Sequence, residues 1–165
     1  MAQSLVWIIL FTLVAIGMLI FVPRREILKL LPFGVVGGFL LAAIIQIVAV
    51  WVLGLWSFNY TQIASYRGIP IFLTLVWLPT VIIFGHWLLQ IRSGTGRFFF
   101  TAAFALATVA LEWAFVFTGY RQYHRFWNVF YTALLALVLH YLLAWYLLSV
   151  RRPMSDEHKV VPLQD

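Results

Sequence analysis

"LVWIILFTLVAIGMLIFVPRRE", residues 5–26, decides the class of this chain. It runs without a charge over 5–22 and then stops at Pro23-Arg24-Arg25. A membrane span needs roughly 20 consecutive apolar residues, and a proline followed by two arginines is how such a run ends at a basic membrane edge. The segment before it, Met1 to Ser4, carries no lysine or arginine, so the basic start of a secretory signal is missing. The run is therefore expected to be a retained first span.

Four more runs follow the same reading, at 30–56, 69–91, 98–119 and 126–150. Arg92 closes the third, and Arg151-Arg152 closes the last. The expected fold is all-α: a polytopic transmembrane helix bundle of five spans within a domain of residues 1–150. The connections are short, so neighbouring helices are expected to be antiparallel. Residues 151–165, "RRPMSDEHKVVPLQD", are mixed in charge with two prolines and read as a short solvated cytoplasmic tail.

Bulk composition agrees. The 165 residues are 64% hydrophobic and 10% charged, where a soluble domain carries about 25% charged residues. There is no cysteine, which excludes disulfides, thiolate metal sites and a cysteine nucleophile. The net charge of +6 follows from basic loops rather than from a nucleic-acid surface. Arg24, Arg25, Lys29, Arg92, Arg97, Arg151, Arg152 and Lys159 fall on one side of a five-span chain, and Arg67, Arg121 and Arg125 on the other. The positive-inside rule then puts the N-terminus out and the C-terminus in, as a multi-pass protein of the cell membrane. Trp7, Trp51, Trp56, Trp87, Trp127 and Trp145 fall near span ends, where interfacial belts are expected.

Glu112 is the only acid inside a span. An ionisable residue at a span centre costs about 2.5–3.5 kcal/mol on insertion scales, so it must face protein or water. Thr101, Ala105, Thr108 and Glu112 share one face of the fourth span. Gly34, Gly38, Ala42 and Gln46 step by four along the second, a small-residue face with an amide at its end. Gln46 and Glu112 are candidate partners across that contact. Asn128, Thr132, Ala136, His140 and Ala144 repeat the device in the fifth span. Glu112, Gln46, His140 and Asn128 are thus the candidate functional polar residues of the membrane interior. Arg121, His124, Arg125 and Trp127 are candidates for an outer vestibule, and any of the three bases there could fold back onto Glu112. Pro79 predicts a kink in the third span.

Much chemistry is excluded. His86 and His140 differ in expected depth by roughly 8 Å on the helix rise, which argues against a haem held between them. No H-E-x-x-H or C-x-x-C spacing occurs, so no metal site and no cofactor is expected. "SGTG" at 93–96 reads as a flexible connection. "NYT" at 59–61 matches the glycosylation sequon in an expected outer loop.

"LEWAFVFTGYRQYHRFWN" at 111–128, with "LHYLLAWYLLS" at 139–149, resembles the C-terminal half of an uncharacterised family of small five-helix membrane proteins from spore-forming Gram-positive bacteria. Glu112-Trp113, the aromatic loop Tyr120 to His124, and Trp127-Asn128 carry the resemblance. "PRREILKLLPFGVVG" and "GLWSF" are similar to the start and outer end of that family's second helix. Where most of its members have a carboxylate after the tryptophan of the latter motif, this chain has Ser57 and Phe58. The resemblance implies the five-helix topology and singles out Glu112, Trp127 and Asn128, but no reaction.

Three functions fit these residues. The first is a non-enzymatic assembly or interaction role, with a homo-oligomer or another membrane protein as partner, argued from small-residue helix faces without a catalytic set. The second is a small transporter or transporter subunit built around Glu112. The third is a membrane-embedded lipid-modifying enzyme, which lacks a securely placed second catalytic group. The bilayer itself is the one partner that all three require.

Overall fold

Proline and glycine punctuate the chain where the helices begin and end. A computed structural model describes residues 2–150, and the expected tail at 151–165 lies outside the described residues. The helices are α1 (Leu5–Phe21), α2 (Arg24–Val52), α3 (Ile71–Gln90), α4 (Gly94–Phe117) and α5 (Val129–Val150). α2 to α5 are long and apolar enough to cross a membrane. α1 is equally apolar but has 17 residues.

The second run was expected to stay helical to residue 56. Its helix ends at Val52, because Gly54 takes φ +58° and turns the chain into a strand at Trp56. Nor is the segment at 93–96 a flexible link. The Ser93 side chain accepts from the Gly96 N–H and caps α4, which begins at Gly94. Pro79 was expected to kink α3, and the helix is irregular just before it. The helix is interrupted at Val76, three residues before Pro79, whose missing N–H leaves the Leu75 carbonyl without its intrahelical donor. α2 carries Pro32 and then winds as a wider π-helix over Gly34–Leu40, and again over Val48–Val52.

Lipid is as apolar as leucine, so burial alone does not hold such helices together; close packing and internal hydrogen bonds do. The glycine face of α2 provides the close packing. A Cβ on Gly38 would lie 2.5 Å from the Trp77 carbonyl oxygen, and one on Gly34 would lie 2.7 Å from Ile82 Cγ1. α2 therefore meets α3 almost backbone to backbone. α4 lies along α5, with Thr101 and Ala105 fully buried. α1 runs beside α3 and turns Ile9, Leu13, Leu19 and Ile20 outward.

One end of the bundle holds an apolar cluster around Leu30, Ile82, Phe84 and Leu88, near the basic residues at 24–29 and 92–97. The opposite end is closed by a cap that the sequence did not announce. β1 (Trp56–Phe58) pairs antiparallel with β4 (Arg121–Tyr123), in the register Trp56↔Tyr123, Ser57↔Gln122, Phe58↔Arg121. A second short pair, β2 (Ser65–Tyr66) with β3 (Ile69–Pro70), lies in the loop between α2 and α3. Gly119, at φ +78°, turns α4 into β4. The Asn59 amide donates to the Gly119 carbonyl at 2.7 Å, so the sequon asparagine is a strut between the two loops. Ser4 hydrogen-bonds to Gln62 and fastens the start of α1 to this end.

Two of the supposed belt tryptophans are core residues of the cap. Trp7 is 1% exposed and packs against Phe58, Phe115 and Tyr120, with its indole donating to the Tyr60 carbonyl at 3.2 Å. Trp56 is 3% exposed.

Candidate functional site

Directly beneath the cap, α2, α4 and α5 surround a partly open chamber. The centres of water-sized spheres can occupy about 70 Å³ of it, where one ordered water needs about 10–15 Å³ on this measure. A second cavity, of about 60 Å³ on the same measure, lies on the α1 side. Gln46, Trp77, Thr108, Glu112 and Arg121 line both, so these residues form the wall between them.

Glu112 meets Arg121 in that wall. Arg121 Nη1 donates to Glu112 Oε2 at 2.5 Å. The Arg121 side chain is 4% exposed and that of Glu112 24%. Of the three bases that could fold back onto Glu112, Arg121 is the one that does. It does not line an outer vestibule: β-pairing at Phe58↔Arg121 directs its side chain inward. Its guanidinium lies 4.1 Å from the Trp56 ring centroid, a cation–π contact shielded from water.

Gln46 does not pair with Glu112. Its Oε1 accepts from Trp56 Nε1 at 3.0 Å, because β1 brings that indole over the end of the small-residue face. Its Nε2 has no protein acceptor among the described residues. Thr132 ties together the opposite wall. Trp127 Nε1 donates to Thr132 Oγ1 at 2.9 Å, and Thr132 Oγ1 lies 3.0 Å from the Tyr123 hydroxyl. Trp127 packs on Trp56 with ring centroids 5.4 Å apart, so it is a chamber wall residue.

His140 lies at the far end of the chamber, 3% exposed, between Phe84, Phe104 and Trp77. The Ala136 carbonyl, 2.8 Å from Nδ1, can only accept, so Nδ1 carries the proton. That leaves Nε2 as an acceptor, and it has no partner among the described residues.

Other expected site residues lie elsewhere. Asn128 is exposed and is no intramembrane polar group. Its Oδ1 accepts from the N–H groups of Phe130 and Tyr131 at 2.9 and 3.3 Å, capping α5. His124 is on the surface, with Nε2 2.7 Å from Ser57 Oγ. Arg125 is exposed beside Gly54. His86 bonds to Gln90 one turn on, at 2.7 Å. Among the described residues, no group of three or more His, Cys, Asp or Glu could hold a metal ion.

Sequence reasoning missed Trp56, Trp77 and the second cavity. Trp56 gave no local signal, since its role depends on a pairing partner 67 residues away. Chemically, the chamber offers binding groups and no assembled nucleophile. Thr108 Oγ1 is bound to its own helix at the Ala105 carbonyl, and no hydrogen bond joins His140 to Glu112 or to either threonine among the described residues. Compared with protein-family models, with curated proteins and with solved structures, the chain matches none of them.

Proposed function

We propose that this protein is a five-span membrane protein that binds a small amphiphile in the chamber beneath its cap, in the manner of a carrier or carrier subunit. The observation that carries this reading is the convergence of Arg121, Glu112, Gln46 and His140 on one cavity, with buried Arg121 Nε and His140 Nε2 left without partners among the described residues. Buried polar atoms without partners are costly, and natural proteins keep them where something else supplies the bond. The assembly reading rested on small-residue faces. Gly34, Gly38 and Ala42 are used against α3 and the chamber, and Thr101 and Ala105 are buried inside the bundle, so none of them is left for a partner. The cap end is taken as the outer face and the basic end as the cytoplasmic face of the cell membrane, from the distribution of Lys and Arg.

The chain has no cysteine, so a single introduced thiol reports its own surroundings. Thiols react as thiolates, which form in water and not in hydrocarbon. Ala136→Cys, in the chamber wall, should react with a small charged thiosulfonate. Val138→Cys, 48% exposed toward lipid, should not. Equal inertness of the two would refute the chamber as an accessible site.

A further inference from the structure

We infer that the amphiphile carries a monoanionic carboxylate, seated on the free edge of Arg121. The inference rests on reading the chamber as a ligand site and names the chemistry it selects. A guanidinium is planar, with five N–H donors in a fixed fork. Glu112 occupies Nη1. Nε–H and Nη2 share another edge of the plane, and Nε is buried without an acceptor among the described residues. The Trp56 ring, 4.1 Å from the guanidinium carbon, holds the plane in place. A carboxylate meets such an edge with two parallel N–H···O bonds.

Charge decides between a carboxylate and a phosphate. Arg121 and Glu112 cancel, so a bound monoanion leaves one net negative charge in the wall and a dianion leaves two. Among the described residues no second lysine or arginine lines the chamber: Arg125 is exposed at the surface, and His124 is held by Ser57. The rest of the wall suits a hydrocarbon tail. Leu41, Ile45, Leu135, Leu139 and Leu143 line the way toward His140. Thr132 and His140 are about 12 Å apart along α5 on the helix rise, the length of a medium-chain acyl group.

The test uses the full chain in neutral phosphatidylcholine nanodiscs, with tryptophan fluorescence as readout. Bromine quenches indoles on contact, and Trp56, Trp77 and Trp127 line the chamber. The probes are 11-bromoundecanoate, 11-bromoundecanol and 11-bromoundecyl phosphate. The acid should quench saturably, at least tenfold more tightly than the alcohol or the phosphate. Arg121→Lys keeps the charge but loses the fork, and should weaken the acid at least tenfold more than it weakens the alcohol. If the alcohol binds as tightly as the acid, or the phosphate binds more tightly, the carboxylate inference is overturned while the chamber stands. If no probe saturates, the ligand-site reading falls as well. The comparison of three probes on the unaltered chain does not depend on any variant folding.

Discussion

Gly38→Ala tests the contact on which the chamber is built. A Cβ at Gly38 would lie 2.5 Å from the Trp77 carbonyl oxygen, 2.9 Å from its carbon and 3.0 Å from Leu78 Cα. Ordinary contact begins at 3.4 Å, so α2 and α3 must part by most of an ångström, and the obstructing atoms are backbone that no rotamer change can move. Overpacking of this kind costs about 1–3 kcal/mol. It is offset by up to about 1 kcal/mol from replacing glycine with alanine in a helix. Gly17→Ala supplies the contrast, because nothing lies within 4 Å of its Cβ position. It should gain roughly 0.5–1 kcal/mol from propensity alone. The propensity gain is common to both sites, so the two chemically identical substitutions should differ by the overpacking alone, about 1–3 kcal/mol. Unfolding in mixed micelles, followed by intrinsic fluorescence, measures both. Gly37→Ala should fall between them, since its Cβ meets the flexible end of Leu143 at 2.6 Å. If Gly38→Ala is as stable as Gly17→Ala, the backbone approach of α2 to α3 is wrong, and the chamber geometry with it.

Two further substitutions separate binding groups from structural ones. His140→Phe keeps a ring among Phe84, Phe104 and Trp77 and removes an unpaired buried acceptor. An unsatisfied group costs about 1–3 kcal/mol and the lost Nδ1–H bond is worth about 1 kcal/mol. Thermal stability should therefore hold or rise, and a fall of more than about 2 kcal/mol would show that Nε2 has a partner within the fold. Asn128→Ala should cost about 1 kcal/mol, the usual worth of a helix cap, while Asn128→Ser restores it and neither alters quenching by the brominated acid.

Much of the bundle is legible in the sequence, because apolar runs and charged breaks are local. So are the helix faces: Gly34, Gly38, Ala42 and Gln46 are buried together as their spacing requires. The cap is not legible. Trp56–Phe58 and Arg121–Tyr123 are three-residue strands without alternation long enough to read, and each exists only because the other does. That one pairing moved Arg121 from vestibule to interior and gave Gln46 an indole instead of a carboxylate. A signal for Arg121 was nevertheless present. A lone acid in a membrane needs a base, and Glu112 lies about 7–8 Å below the end of α4 on the helix rise. Gly119 turns the chain back there, and Arg121 is the first base after the turn.

Arg121 makes the cap and the chamber one mechanical unit. It belongs to β4 by its backbone, to α4 through Glu112, and to β1 through the face of Trp56. Trp56 in turn hydrogen-bonds to Gln46 on α2. Lifting the cap therefore separates an ion pair, a cation–π contact and an indole–amide bond together, and leaves both charges in a wall with little water. Arg121 thus fastens the cap and lines the chamber at once, so a substitution as mild as lysine for Arg121 perturbs both.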